Sequence, residues 1–155
     1  MARFRGQYTH AMDKKGRVSI PVRFRETLRI QYDEQLILCL SHECLVAYPV
    51  KVWEELEDSL QQFPRFSPVV KDYKRVFMSA AQECPLDSQG RILIPPELRT
   101  RASLENKVFF VGMINHFEIW DRERYMQKYE PMREDIPELE EQMSRLPQDG
   151  QKRPE

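Results

Sequence analysis

Glycine is scarce in this chain: five occur in 155 residues, no two adjacent, so there is no glycine-rich loop to cradle a phosphate on backbone N–H groups. Cysteine is scarcer. Cys39, Cys44 and Cys84 are odd in number and lack the paired spacing of a disulfide framework or a zinc ribbon, which marks them as reduced, buried small hydrophobes. Cys39, His42 and Cys44 stand in C-x-x-H-x-C order, which does not match the usual ligand knuckles, so no metal is expected. No apolar run approaches the roughly 18 residues that a membrane span requires, and the opening MARFRGQYTH has no apolar signal core. A cytoplasmic protein with no membrane partner is the expectation. No nucleophile stands beside a base, no carboxylates pair in a recognisable motif, and Asp13 and Asp87 lack the Asp-Thr-Gly context of an aspartic protease. Neither catalysis, a cofactor nor a small-molecule ligand is expected.

Excess charge of one sign is also missing, since the net charge is −1, which excludes a uniformly basic coat. Its distribution is uneven. Residues 1–30 hold eight Lys or Arg against Asp13 and Glu26, a net of +6, whereas residues 121–155 sum to −3. A basic front suits a polyanionic partner. Hydrophobic residues at 41% suffice for a core, and 155 residues favour one shared core over two separate domains of roughly 100 residues each.

The chain contains itself twice. DKKGRVSIPVRFRETL from Asp13 and DSQGRILIPPELRTRA from Asp87 share Asp, Gly, Arg, Ile, Pro and a later Arg at an offset of 74 residues. QLILCLSHECLVAYPVKVWEEL from Gln35 then matches KVFFVGMINHFEIWDRERYMQK from Lys107 at an offset of 72. Each copy is expected to run from a strand into an Asp-x-x-Gly turn, because type I turns favour Asp first and Gly fourth. A second strand follows, Arg17–Ile20 or Arg91–Ile94, and then a short helix opened by proline, Pro21–Leu28 or Pro95–Ala102. Hairpins are expected from Leu36–Leu40 with Leu45–Tyr48, and from Val108–Val111 with Phe117–Trp120. Trp53, Leu56, Leu60 and Phe63 recur at helical spacing, and Asp121 can cap a helix carrying Tyr125 and Tyr129. Ser67-Pro68 starts a linking helix whose stripe of Val69, Val70, Tyr73, Val76, Phe77 and Ala80 should pack. From Pro131 the tail is expected to fray, apart from a short helix at Pro137–Leu146.

The string D-x-x-G-R-[VI]-x-[IL]-P-x-x-[FL]-R in both copies resembles the swapped-hairpin DNA-binding fold of the AbrB and SpoVT regulators. With Phe4-Arg5-Gly6, the Ala-Tyr-Pro and Glu-Ile-Trp-Asp strand ends and the helical linker, residues 3 to 129 resemble the MraZ family. The resemblance implies an α+β, β-rich fold in which two tandem AbrB-like modules form one pseudo-twofold β-barrel with flanking helices. Modules are expected at residues 5–53 and 79–125, a helical linker at 54–78, and a C-terminal helix and flexible tail at 126–155. It further implies a sequence-specific transcriptional regulator, associated with the nucleoid. Such a regulator binds repeated promoter boxes, ahead of a cell-division and cell-wall gene cluster, as a ring-shaped homo-oligomer.

Arg17 follows the turn glycine beside Lys14 and Lys15, three cations on one short surface, where the second copy has Ser88 and Gln89 around Arg91. Arg17, Lys14 and Lys15 are therefore the leading DNA-binding candidates. Arg5, Arg3, Arg25 and Arg23 are weaker ones, since charges on a helix are usually a solvated face; Arg25 gains from the related regulators, which carry an Arg there. Asp13, Gly16, Asp87, Gly90 and Arg91 are read as turn residues, with Arg91 paired to Asp87. Tyr8, Tyr48, Trp53, Tyr73, Phe77, Trp120 and Tyr125 are read as packing residues rather than base-stacking ones. The rival reading is an antitoxin-like protein-interaction module that uses the acidic C-terminal segment.

Overall fold

Gln7–Ala11 alternates exposed and half-buried side chains, as a strand with one face on a core must, and forms β1. The computed structural model describes residues 2–148. After the Asp13 turn come β2, Arg17–Ser19, and α1, Val22–Gln31, which buries Phe24, Thr27 and Leu28 at helical spacing. The hairpin of β3, Gln35–Ser41, and β4, Cys44–Pro49, leads into α2, Val50–Leu60. The second copy repeats the order: β5 Gln82–Pro85, β6 Arg91–Leu93, α4 Pro96–Arg101, β7 Lys107–Gly112 and β8 Phe117–Asp121. Pro21, Pro49 and Pro95 each sit one residue before their helix rather than at its first position, with ψ of 138°, 146° and 140°. Proline there ends the extended segment and leaves the fixed φ at the corner.

Apart from the β3–β4 and β7–β8 hairpins, every strand pairing runs between the two copies. β1 lies antiparallel to β7 of the second copy, and β5 lies antiparallel to β3 of the first. β4 and β8 join the hairpins, so the six-stranded sheet runs β1-β7-β8-β4-β3-β5, an order that reads the same from either end once the copies are exchanged. β2 and β6 form a separate two-stranded antiparallel ribbon. Ile20 N–H donates to the Gly90 carbonyl and Ile94 N–H to the Gly16 carbonyl, both at 2.9 Å, so each end of the ribbon is fastened to the other copy's turn.

Why the copies kept their likeness is visible in the core. Val18 and Ile92, Ile20 and Ile94, Phe24 and Leu98, Leu38 and Phe110, and Leu45 and Phe117 are equivalent pairs, and every one is buried. Phe24 of the first copy meets Phe117 of the second at 4.8 Å between ring centroids, and Phe4 reaches both. Neither copy could bury these surfaces alone.

The expectation of a packed linking stripe needs correction. The linking segment is a short α3, Pro68–Tyr73, that passes into a π-helical turn, Lys74–Met78. The wider winding takes more residues per turn, so the apolar stripe loses its 3.6-residue register after Tyr73. Val70 is buried and Phe77 packs on Trp53 at 6.0 Å, but Val69, Tyr73, Val76 and Ala80 are exposed. A compact unit separates after Arg122. It contains most of α5, Arg122–Tyr129, a 3-10 turn, Glu130–Asp135, and α6, Ile136–Ser144, braced by Arg133–Glu130 and Arg145–Glu141 ion pairs. The short helix expected at Pro137–Leu146 is present as α6. The part of the expected tail at 149–155 lies outside the described residues.

Candidate nucleic-acid interface

The two Asp-x-x-Gly turns are built alike. Asp13 Oδ1 accepts the N–H groups of Lys15 at 3.0 Å and Arg17 at 2.9 Å, while Arg17 Nε donates to Oδ2 at 2.8 Å. Asp87 Oδ1 takes Gln89 N–H at 2.8 Å and Arg91 N–H at 2.9 Å, and Arg91 Nε donates to Oδ2 at 3.0 Å. Hydrogen bonds from the Arg17 backbone and then its side chain hold the Asp13 carboxyl below the ordinary carboxylate range; the Arg91 backbone N–H does the same for Asp87. Gly16 and Gly90 close the turns at φ of +89° and +75°, in the left-handed region.

The contrast expected between Arg17 and Arg91 is absent from this geometry. Both are paired through Nε to a half-exposed aspartate, which leaves the outer Nη groups of each guanidinium to meet a further acceptor. Register also puts them together. Arg17 stands opposite Leu93 and Ser19 opposite Arg91, with the buried pair Val18 and Ile92 between. Directly opposed residues share a face and successive ones alternate, so Arg17 and Arg91 project from the same outer face of the ribbon, on a diagonal of roughly 7–8 Å between Cα atoms. Lys14 and Lys15 are exposed at the tip of the first turn alone.

The other candidates divide into two places. Arg3, Arg5 and Arg23 line one cleft with Tyr8 and Glu26, a grouping in which the acid offsets part of the charge. Arg25 belongs to the second turn: its guanidinium lies over Gly90, where an added Cβ would meet it, and its Nε is buried without a partner. That placement corrects the picture of Arg25 as part of a solvated helix face. The equivalent residue of the other copy, Arg99, lies over Gly16 in the same manner, with its Nε likewise buried and Nη1 at 3.5 Å from the Lys14 carbonyl. Arg99 was not among the sequence candidates. Its signal was the later Arg shared by both copies, which marks a cross-copy brace rather than a charge to spare.

The cysteines are buried and unpaired. Burial pushes the Cys39 thiol up to about 12 and Cys84 up to about 11, and pushes Cys44 up as well, so all three stay protonated and packed. His42, between them in sequence, is exposed in the hairpin turn at φ +44°. Among the described residues no three His, Cys, Asp or Glu side chains gather to hold a metal ion, and no helix is long and apolar enough to cross a membrane.

Interlocked copies that send two arginines out of one ribbon define an α+β class of tandem-repeat protein, and similarity to known proteins gives the class a family. The sequence pattern of the MraZ protein, described as antitoxin-like, matches residues 3–76 and again 77–146. The chain is 44% identical over 119 residues to the transcriptional regulator MraZ of Syntrophobacter fumaroxidans, covering 77% of this chain and 79% of the relative. It is 41% identical over 127 residues to that of Shewanella frigidimarina, covering 81% and 84%. It is 39% identical over 128 residues to that of Acidithiobacillus ferrooxidans, covering 79% and 85%. The chain belongs to the MraZ family of transcriptional regulators.

Proposed function

We propose that the protein binds double-stranded promoter DNA through the outer face of the β2–β6 ribbon, with Arg17, Lys14 and Lys15 as the leading contacts and Arg91 beside them. The observation that carries this is the shared face: two arginines held by aspartates, their outer nitrogens turned outward, with two lysines at the neighbouring tip. A planar guanidinium fixed at Nε can grip a phosphate or read guanine, and the lysines add counterion release. Arg3, Arg5, Arg23 and Arg25 act behind this face, Arg25 chiefly through the Gly90 turn. Residues 5–53 and 79–125 serve as two halves of one pseudo-twofold barrel joined by 54–78.

The finer reading follows the family resemblance: repeated boxes ahead of a cell-division and cell-wall gene cluster, bound in the cytoplasm on the nucleoid by a ring of subunits. One basic face gives modest affinity at physiological salt, whereas several faces on one assembly gain avidity of order 10²-fold or more. Footprinting on the DNA upstream of the gene is expected to show evenly repeated protected boxes. Anisotropy titrations on that DNA are expected to show binding weakened about tenfold or more by Arg17→Ala. Protection of no upstream DNA, with a folded protein, overturns the reading. The rival is an antitoxin-like role, favoured by the family's description and by the acidic C-terminal segment. Tight capture of a protein by residues 130–155, without promoter binding, would establish it instead.

A further inference from the structure

Away from the ribbon, the first unit carries an apolar groove. Leu56, Leu60 and Phe63, at and just beyond the end of α2, form one wall, and Val69, Val70 and Tyr73 of α3 form the other. The groove encloses about 360 Å³. Phe63, Val69 and Tyr73 are 59%, 76% and 47% exposed, and Phe66 and Val76 extend the apolar surface beyond them. Single exposed apolar residues are ordinary, but a contiguous set with a concave centre is the mark of an interaction site.

The second unit carries a helix of matching character. Ile136, Leu139, Met143 and Leu146 recur at helical spacing in and just after α6, and are 50%, 41%, 66% and 66% exposed. They span about 15 Å at a rise of 1.5 Å per residue, close to the length of α2. Around them stand Glu134, Asp135, Glu138, Glu140 and Glu141, with Arg145 already paired to Glu141. The groove is charged unequally to suit. α3 and the π turn bring Lys71, Lys74 and Arg75, with Asp72 paired to Arg75, whereas α2 brings Glu54, Glu55, Glu57 and Asp58 against Lys51 alone. An acidic amphipathic helix is drawn along the α3 wall and held off the α2 flank, so charge sets its lie as well as its place.

We infer that α6 of one copy seats in the α2–α3 groove of a second copy. This rests on the ring reading given above and specifies its joint. Donor and acceptor are different patches, so the contact is heterologous and repeats from copy to copy until the assembly closes, whereas an isologous contact would stop at a dimer.

The test uses the full-length chain with Val69→Glu in the groove and Met143→Glu on the helix, both at exposed positions. Circular dichroism should be unchanged, and binding to a single promoter box should stay within about twofold of wild type, as for other surface substitutions. By light scattering the wild type is expected to exceed a dimer, and each variant alone to be a monomer. An equimolar mixture of the two is expected to give a dimer, because only one intact groove and one intact helix remain and the series of joints ends after one. Variants that keep the wild-type mass, or a mixture that stays monomeric as it would if α6 covered its own chain's groove, overturn the joint and leave a ring built some other way. A monomeric wild type overturns joint and ring together. Wild-type protein that assembles through this joint yet ignores promoter DNA supports the joint and sinks the DNA reading.

Discussion

Gly16 is held to glycine for two separate reasons, and they can be measured apart. Its φ of +89° disfavours any side chain, and a Cβ there would run into the Arg99 guanidinium. Gly16→Ala is therefore expected to cost about 1–3 kcal/mol of unfolding free energy, with the turn displaced as well. In an Arg99→Ala background the same change should cost less, since only the backbone strain remains; equal costs in both backgrounds, by urea unfolding, would mean that Arg99 does not brace the turn. His116 offers a second residue-level test. Its ring stacks on Tyr48 at 5.0 Å, and burial lowers its pKa against the opposing pull of Glu118. The unfolded chain then binds the proton more readily than the folded one, so stability should fall as pH drops through the ordinary histidine range near 6.5. His116→Asn should flatten that slope between about pH 7 and 5, and an unchanged slope would assign the dependence elsewhere. Neither residue's role was legible beforehand. The glycine's turn could be read from Asp-x-x-Gly, but the arginine that fills the space above it comes from a segment 83 positions away, beyond the reach of local patterning.

Among elements, the two turns pose the sharper question, because their skeletons agree while their tips differ. Asp, Gly and Arg hold equivalent bonds in both, yet Lys14 and Lys15 stand where Ser88 and Gln89 stand in the second. Giving the first turn the tip of the second, Lys14→Ser with Lys15→Gln, should leave the fold intact and reduce the salt slope of DNA binding by up to about 2 per protomer, near 0.9 for each lost phosphate contact. An unchanged slope would remove the lysines from the interface. The sequence pattern served the strands well here: the hairpins run as expected, to within a residue or two of β3, β4, β7 and β8, because alternation and turn residues are local signals. It served the linker poorly. Val69, Tyr73 and Val76 look like a core stripe at 3.6-residue spacing, but Val69 and Tyr73 lie on the exposed side of α3 and the π turn breaks the register before Val76.

At the scale of the molecule, strand exchange makes the halves mutually dependent. An isolated first half, residues 1–78, would leave β1 without β7 and β3 without β5, two edges that invite pairing with another chain. A second copy of the same half could supply the strands, but its side chains fit less well. Phe24 would then face Leu38 and Leu45 in place of Phe110 and Phe117. The packing of Phe24 of one copy against those two rings of the other is lost in a homodimer, where the leucines leave voids. Co-expressed fragments 1–78 and 79–155 are therefore expected to associate as a one-to-one heterodimer in preference to either homodimer, read by native mass spectrometry after refolding the mixed fragments. The measured preference also tests the barrel, since both copies must contribute to one core for mismatched volumes to matter. A statistical mixture of hetero- and homodimers would mean that backbone pairing alone directs assembly. Fragments that each fold as monomers would mean that the copies are independent domains, and the exchanged sheet order would have to be abandoned with them.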